Sequence, residues 1–348
     1  VISRADRRVA GSVRLGSRGQ PSRRFSGLIR QGIHLFLAAV LLAGGAGAVY
    51  GSSEGAETVS GDAGSDELGA SDLGRLIRDW TSAFQRDHAG ATIRLRPTRS
   101  LASPGAFDEA RGDAIYVGYR LNREAIDGFS RKLGYKPTPI RVALDAVTIF
   151  VHRDNPIRGM TLAQAGSVFS RSPMCRGARY LATWGALGLI GEWRTRPLQV
   201  FAIGSADDVY DYFSEQVLCG GALGEFVQVR PDSGSVAGAV SESLNAIGYG
   251  RGGSTTAPVK PVPLAVDANM PFVAPSERNA VSGAYPLTRF LHIYVNKSPN
   301  RPLASMQADF VRFVLSAEGQ QIASRYGYIP VTPDVAKKEQ KLIGTGQP

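Results

Sequence analysis

Residues 140–152 read IRVALDAVTIFVH, a β-branched run interrupted only by Asp145. It predicts a buried strand, the longest strand signal in the chain. A second such run, residues 287–295 (LTRFLHIYV), follows a stretch from 250 to 278 dominated by proline and glycine. Between and before them helical and strand patterns alternate. Leu73, Leu76, Ile77, Trp80 and Phe84 recur at helical spacing behind Ser71, a residue suited to cap that helix. Short strands are expected at 91–95 (ATIRL), 114–117, 198–203 and 246–249, and helices at 123–129, 206–218 and 236–244. Thr161-Leu-Ala-Gln164 forms a Thr-x-x-Gln capping box ahead of a helix through Phe169. Phe310, Phe313, Val314 and Ile322 mark one helical stripe over 306–324, with Gly319 a weak point near its end. This alternation predicts an α/β protein with parallel-type sheets covered on both faces.

Composition narrows the class. The chain has 348 residues and a hydrophobic fraction of 43%, enough to bury one or two cores, which excludes a disordered or fibrous protein. The formal charge is +10, but residues 1–48 hold eight Arg and one Asp. The remainder has 32 basic against 29 acidic residues, close to neutral, so no nucleic-acid partner is expected.

The arginines precede residues 33–50 (IHLFLAAVLLAGGAGAVY), an apolar run ending in small residues. That order predicts an export signal cleaved after Ala48, and an uncleaved membrane anchor is the alternative. Residues 51–67 carry Gly, Ser and acids with almost no large apolar residue, which predicts a flexible leader. Two cysteines, Cys175 and Cys219, suit one disulfide in an exported protein, or two buried thiols. Neither Cys-x-x-Cys nor a His/Cys cluster is present, so redox catalysis, structural zinc and any other cofactor lack support.

Several segments, in this order, resemble the phosphate-type substrate-binding proteins of ABC importers. They are Gly69-Ala-Ser-Asp-Leu73, Arg141-Val-Ala-Leu-Asp-Ala-Val147 running to Asn155-Pro156, Thr161-Leu-Ala-Gln164, and Thr183-Trp-Gly185. Further along come the Tyr212-Phe213 helix ending at Cys219-Gly220-Gly221, Ala246-Ile-Gly-Tyr249, Tyr285-Pro-Leu287 and Ser316-Ala-Glu-Gly319. Cys175 and Cys219 sit where a subgroup of such proteins carries a cysteine pair. The resemblance covers residues 68–335. It implies a two-lobe periplasmic-binding-protein fold of type II, whose lobes are joined by two antiparallel crossover hinge strands. The segments 141–152 and 287–295 are the candidates for those strands. One lobe would comprise 68–145 plus 290–348, the other 146–289.

The resemblance also implies a site between the lobes, where the family holds phosphate with helix N-termini, hydroxyls, an Arg and an Asp. On the positions that match, Ser71, Asp72, Gly118, Tyr119, Ser205, Asp207 and Asp208 would line it, with Arg99, Ser100 and Ser103 as anion ligands. This chain departs from the pattern at one stretch. Ile203 stands where the family has its Arg, and Asp207-Asp208-Val209 replaces Ser-Gly-Thr. A carboxylate 4 Å from an anion opposes it by about 4 kcal/mol at an effective dielectric of 20, half of what micromolar affinity provides. The pocket therefore keeps a cationic wall and gains an acidic one. Quieter roles remain open: Ser205 and Asp208 fit a Ser-x-x-Asp helix cap, Ser71 fits a cap, and Arg99 fits a solvated loop.

The expectation is an exported, monomeric solute-binding protein that takes a small ligand, phosphate, another oxyanion or a different polar solute, to an inner-membrane ABC permease. A ligand-free interaction or sensory module on the same fold is the alternative. An enzyme is not expected, because no Ser-His-Asp order, metal-ligand spacing or phosphate loop with Lys occurs.

Overall fold

A computed structural model describes residues 71–91, 93–97, 115–121, 123–170, 179–254 and 256–344. In chain order its regular elements are α1 (Asp72–Asp87), β1 (Leu95–Pro97), β2 (Ile115–Gly118), α2 (Arg123–Leu133), β3 (Thr138–His152), β4 (Met160–Thr161) and α3 (Leu162–Phe169). Next come β5 (Gln199–Ile203), α4 (Asp208–Gln216), β6 (Gln228–Arg230), α5 (Ser233–Ser241), β7 (Ala246–Arg251), β8 (Val259–Pro261), β9 (Leu264–Ala265) and α6 (Glu277–Val281). The chain continues through β10 (Thr288–Val295), α7 (Ser305–Val314), α8 (Ala317–Arg325), β11 (Ile329–Pro330) and α9 (Pro333–Leu342). No helix among the described residues is long and apolar enough to cross a membrane.

Nine strands form one continuous sheet in the order β1-β2-β10-β3-β7-β5-β6, with β8 and β11 both added to β3, and β4 pairs separately with β9. Within the large sheet, parallel pairing is confined to the flanks, where β1 meets β2 and β5 meets β6 and β7. At the centre β3 pairs antiparallel with β10 from Thr288↔Ala146 to Val295↔Thr138, and with β7 from Val147↔Arg251 to Val151↔Ile247. The expectation of parallel-type sheets is thus corrected. A strand running from one half to the other must meet its central neighbours head to tail, so the sheet is mixed. The two strongest strand signals do run side by side.

β3 serves two hydrophobic cores. Its residues Ile140, Val142 and Leu144 pack with Trp80 and Phe84 of α1, Val117, Ile293 and Phe310 in the first. Val147, Ile149 and Val151 pack with Phe169, Phe213, Val236 and Tyr249 in the second. Each such side chain, fully buried, stabilises by about 1.5–3 kcal/mol relative to exposure. Between the two sets lies Asp145, fully buried and ionic in its contacts. The apolar run of β3 therefore changes core at its one acid.

Local signals behave as their chemistry requires. Ser71 accepts a hydrogen bond from the Gly74 amide and caps α1. The Thr161–Gln164 capping box forms in both directions. The stripe over 306–324 is corrected: it is two helices, α7 and α8, because Ser316 caps α8 through the Gly319 amide. Gly319 lies in the first turn of α8, where a Cβ would stand 2.3 Å from the Phe313 carbonyl oxygen. Its own carbonyl accepts from the buried Trp80 indole at 2.8 Å, which ties α8 to α1.

Candidate functional site

Three helix N-termini approach the point where β3 changes core. Asp72 opens α1, Asp208 opens α4, and Ser233 opens α5. Such ends carry unpaired amide donors and a positive dipole, and they favour negative charge. Here the chain supplies that charge itself, as the first-turn carboxylates of Asp72 and Asp208.

The centre of the cluster is Arg251, the last residue of β7, with no exposed surface. Its Nη1 meets Asp72 Oδ2 at 3.2 Å, its Nη2 meets Asp208 at 3.0 and 3.2 Å, and its Nε lies 3.4 Å from Asp145 Oδ1. Nη2 also donates to the Tyr119 hydroxyl at 3.0 Å, and the guanidinium lies over the Tyr328 ring. The planar fork thus reaches three carboxylates in three directions, a geometry that a Lys ammonium does not offer.

Arg289 of β10 closes the cluster from the second side. It donates to Asp145 Oδ2 through Nε and Nη2 at 3.2 and 3.0 Å, and to Asp208 Oδ2 through Nη2 at 2.7 Å. Its guanidinium stacks on Tyr119, 3.1 Å from the ring centroid, and faces Tyr212 at 4.5 Å. Tyr119 donates its hydroxyl to Asp145 Oδ2 at 2.8 Å. Ser233 Oγ receives the Arg251 amide at 3.0 Å and sits 3.4 Å from Asp72 Oδ2. Arg75, half-buried, pairs with the other oxygen of Asp72.

Charge and burial set the protonation states. Burial resists ionisation of Asp208, but Arg251 and Arg289 overcome it and hold its carboxyl below the usual range. Asp207 is displaced the other way: burial and then the Asp208 charge push it up to about 6, although Arg251 pulls it down. Burial raises the Tyr119 and Tyr328 hydroxyls well above 10, so both remain neutral donors. The adjacent acids therefore differ: Asp208 is an ionised partner of two arginines, and Asp207 is a poorly paired acid.

The residues expected from sequence divide. Asp72, Tyr119 and Asp208 meet in the cluster. Asp207 borders it, with Oδ1 4.0 Å from Arg251. Gly118 ends β2, in register with His292 of β10. Ser71 caps α1. Ser205 lies in the turn before α4 and does not cap it. The Ser-x-x-Asp reading is corrected, because Asp207 is the cap, accepting from the Val209 amide at 2.9 Å, which turns Asp208 toward the arginines. Arg99, Ser100, Ser103 and Cys175 lie outside the described residues, as do residues 1–67. Cys219 takes part in a disulfide.

Asp145, Arg251, Arg289, Ser233 and Tyr328 were not expected at the site. A signal existed for two of them: Asp145 and Arg289 are charges inside otherwise apolar strands, and buried charges are paired. No group of three or more His, Cys, Asp or Glu side chains among the described residues is arranged to hold a metal ion. Tyr328 also lines a cleft of about 360 Å³, together with Thr148, Phe150, Gly252 and Gly253.

Comparison with known proteins gives this arrangement its lineage. A family model described as PBP superfamily domain matches residues 68–318. The chain is 40% identical over 289 residues to the phosphate-binding protein PstS of Pseudomonas aeruginosa, covering 83% of this chain and 89% of that protein. It is 30% identical over 252 residues to the protein SphX of Synechococcus elongatus, covering 71% and 72%. Among solved structures it resembles a possible phosphate binding protein from Planctomyces limnophilus, with TM-score 0.59, 19% identity and coverage of 77% and 93%. An ABC-type phosphate transport receptor from Vibrio cholerae gives TM-score 0.56, 18% identity and coverage of 73% and 95%. The chain belongs to the PBP superfamily, as a two-lobe member of the family that includes the PstS phosphate-binding proteins.

Proposed function

We propose that this protein is the solute-binding component of an ABC import system, exported to the periplasm and not catalytic. Its guest site lies between the two cores, where α1, α4 and α5 present their N-termini. The observation that carries this reading is that convergence, because three positive helix ends at one buried point between two lobes suit a small polar or anionic guest. The relatives' names point to phosphate, and the guest proposed here is phosphate, another oxyanion or a small polar solute. The partner is an inner-membrane ABC permease, and the working form is a monomer.

Further elements of the proposal are lobes of residues 68–145 plus 290–348 and 146–289, cleavage after Ala48, and a Cys175–Cys219 disulfide. Ser71, Gly118, Ser205, Arg99 and Ser100 belong to the proposed lining, beside Asp72, Tyr119, Asp207 and Asp208.

Thermal unfolding of the purified protein against phosphate, arsenate, sulfate and uncharged polar solutes tests the reading. A ligand at about 100 times its Kd stabilises by about 2.7 kcal/mol, which raises the midpoint by several degrees. At least one solute in the panel is expected to do so. A second reading, an exported interaction or sensory module without a ligand, is favoured by one observation: Arg251 already fills the convergence point and is ion-paired there with Asp72, Asp145 and Asp208. A panel in which no solute moves the midpoint selects that module and ends the import reading.

A further inference from the structure

We infer that the inter-core site is a guanidinium-recognition site occupied in cis by Arg251, so that this chain carries its own ligand. The inference uses the placement of the site proposed above but does not depend on import of any solute.

Three observations converge. The first is the grip: carboxylates of Asp72, Asp145 and Asp208 surround one guanidinium at 3.0–3.4 Å, from α1, β3 and α4 respectively. Tyr119 accepts a fourth contact at 3.0 Å and the Tyr328 ring lies 4.9 Å from the guanidinium carbon. Carboxylates around the fork with an aromatic ring beside it are what a free guanidinium compound requires of a receptor.

The second observation is the sign of the site. Among the described residues, Asp72, Asp145, Asp207 and Asp208 face Arg251 and Arg289, so acids outnumber arginines in the buried cluster, and the partly exposed Arg75 is shared between Asp72 Oδ1 and Asp232. Asp207 is 4% exposed, and its Oδ2 has no hydrogen-bond partner among the described residues. An anionic guest would meet this excess negative charge, and a cationic one is attracted by it.

The third is the place of attachment. Arg251 ends β7, in the second core's sheet, whereas Asp72 opens α1, which packs in the first core. The guanidinium therefore joins the two lobes, as a guest bound in the cleft would, with no loss of translational freedom on binding because it is tethered.

The test removes the tether and returns the head group. Full-length Arg251→Ala is melted in guanidinium chloride up to about 20 mM, where its denaturing action is negligible, against equal sodium chloride and against phosphate. The expected result is a midpoint rise of about 3 °C or more in the variant with guanidinium only, and no rise in the unsubstituted protein.

Should the uncompensated acids prevent folding, Arg251→Ala with Asp208→Asn restores the charge count. The same series is then expected to give a smaller rise, because one of three carboxylates is gone. Sodium giving the same rise as guanidinium would mean general screening of acids, and phosphate giving a rise where guanidinium does not would mean a plugged anion site. Either result overturns the inference, as does the absence of a guanidinium response in both variants. The solute panel on the unsubstituted protein is read separately, so failure of import and failure of this inference are distinct outcomes.

Discussion

Helix α4 touches strand β7 twice, by two kinds of contact. Phe213 lies flat on Tyr249, ring centroids 3.7 Å apart and planes 4° from parallel, with Phe169 edge-on at 5.1 Å. One end of the same helix, Asp208, meets the end of the same strand, Arg251, through two hydrogen bonds. The first contact is dry and lies within one core. The second is ionic, and its partners Asp72 and Asp145 extend it into the other core. An apolar contact loses what its own atoms contributed when it is cut. An ionic contact also exposes the partner to the cost of being charged and alone in a low-dielectric interior. Damage at the stack should stay local and ignore pH, and damage at the cluster should propagate and follow the protonation of its acids.

The largest effect expected on the dry side is from Phe213→Ala. It removes a fully buried ring that contacts two others, and a cost of about 3–5 kcal/mol in urea unfolding is expected. No titratable partner is orphaned, so the cost should be the same at pH 5 and pH 8. A cost that differs clearly between those two would break the comparison, since the stack would then be coupled to the acids beside it.

The cluster gives the next effect, and its sign is opposite. Asp207 has its carboxyl raised from 3.8 to about 6. Between those values the folded state holds a proton that the unfolded state has released, so stability from this group falls as pH rises from about 4 to about 6 and is level above. Asp207→Asn removes that buried charge and keeps the side-chain oxygen that caps α4, because Asn caps as well as Asp. The variant should be more stable at pH 7 by about 1–3 kcal/mol, with the gain vanishing near pH 4. Midpoints measured at steps across that range decide it, and a loss of stability at pH 7 would mean that Asp207 is a needed partner of Arg251.

These two contacts also differ in how far the sequence discloses them. Phe213 was legible because Val209, Phe213 and Val217 repeat at intervals of four, and apolar burial depends only on which face a residue occupies. β3 and β10 were legible as strands because β-branched runs of that length have few other fates. The cluster needed more: Asp72, Asp145, Asp208, Arg251 and Arg289 are dispersed along the chain, and nothing in local spacing pairs them. Asp145 gave a warning, as a lone acid in an apolar strand. Arg251, following the Gly-Tyr-Gly of β7, gave none, since its burial depends on α1 and α4 arriving from elsewhere. The break between α7 and α8 was hidden for a smaller reason: the apolar stripe continues across it, and only the capping role of Ser316 interrupts the helix.

The smallest effect sharpens the comparison most cheaply. Arg120, just beyond β2, and Glu215 of α4 form an exposed ion pair between the two halves of the molecule, 3.6 Å apart, with side chains 83% and 60% exposed. It resembles the Arg251–Asp72 contact in charge and in what it joins, and differs from it in hydration. Water already solvates both ends, so cutting the pair leaves nothing orphaned, and holding two long side chains together costs entropy that offsets the attraction. Arg120→Ala should therefore change stability by about 0.5 kcal/mol or less, and that change should disappear at about 1 M salt, where the screening length falls to about 3 Å. If urea unfolding instead reports a loss above about 1 kcal/mol that survives high salt, then joining the two lobes is itself what makes such a contact strong. The dryness of the Arg251 cluster would no longer explain its weight.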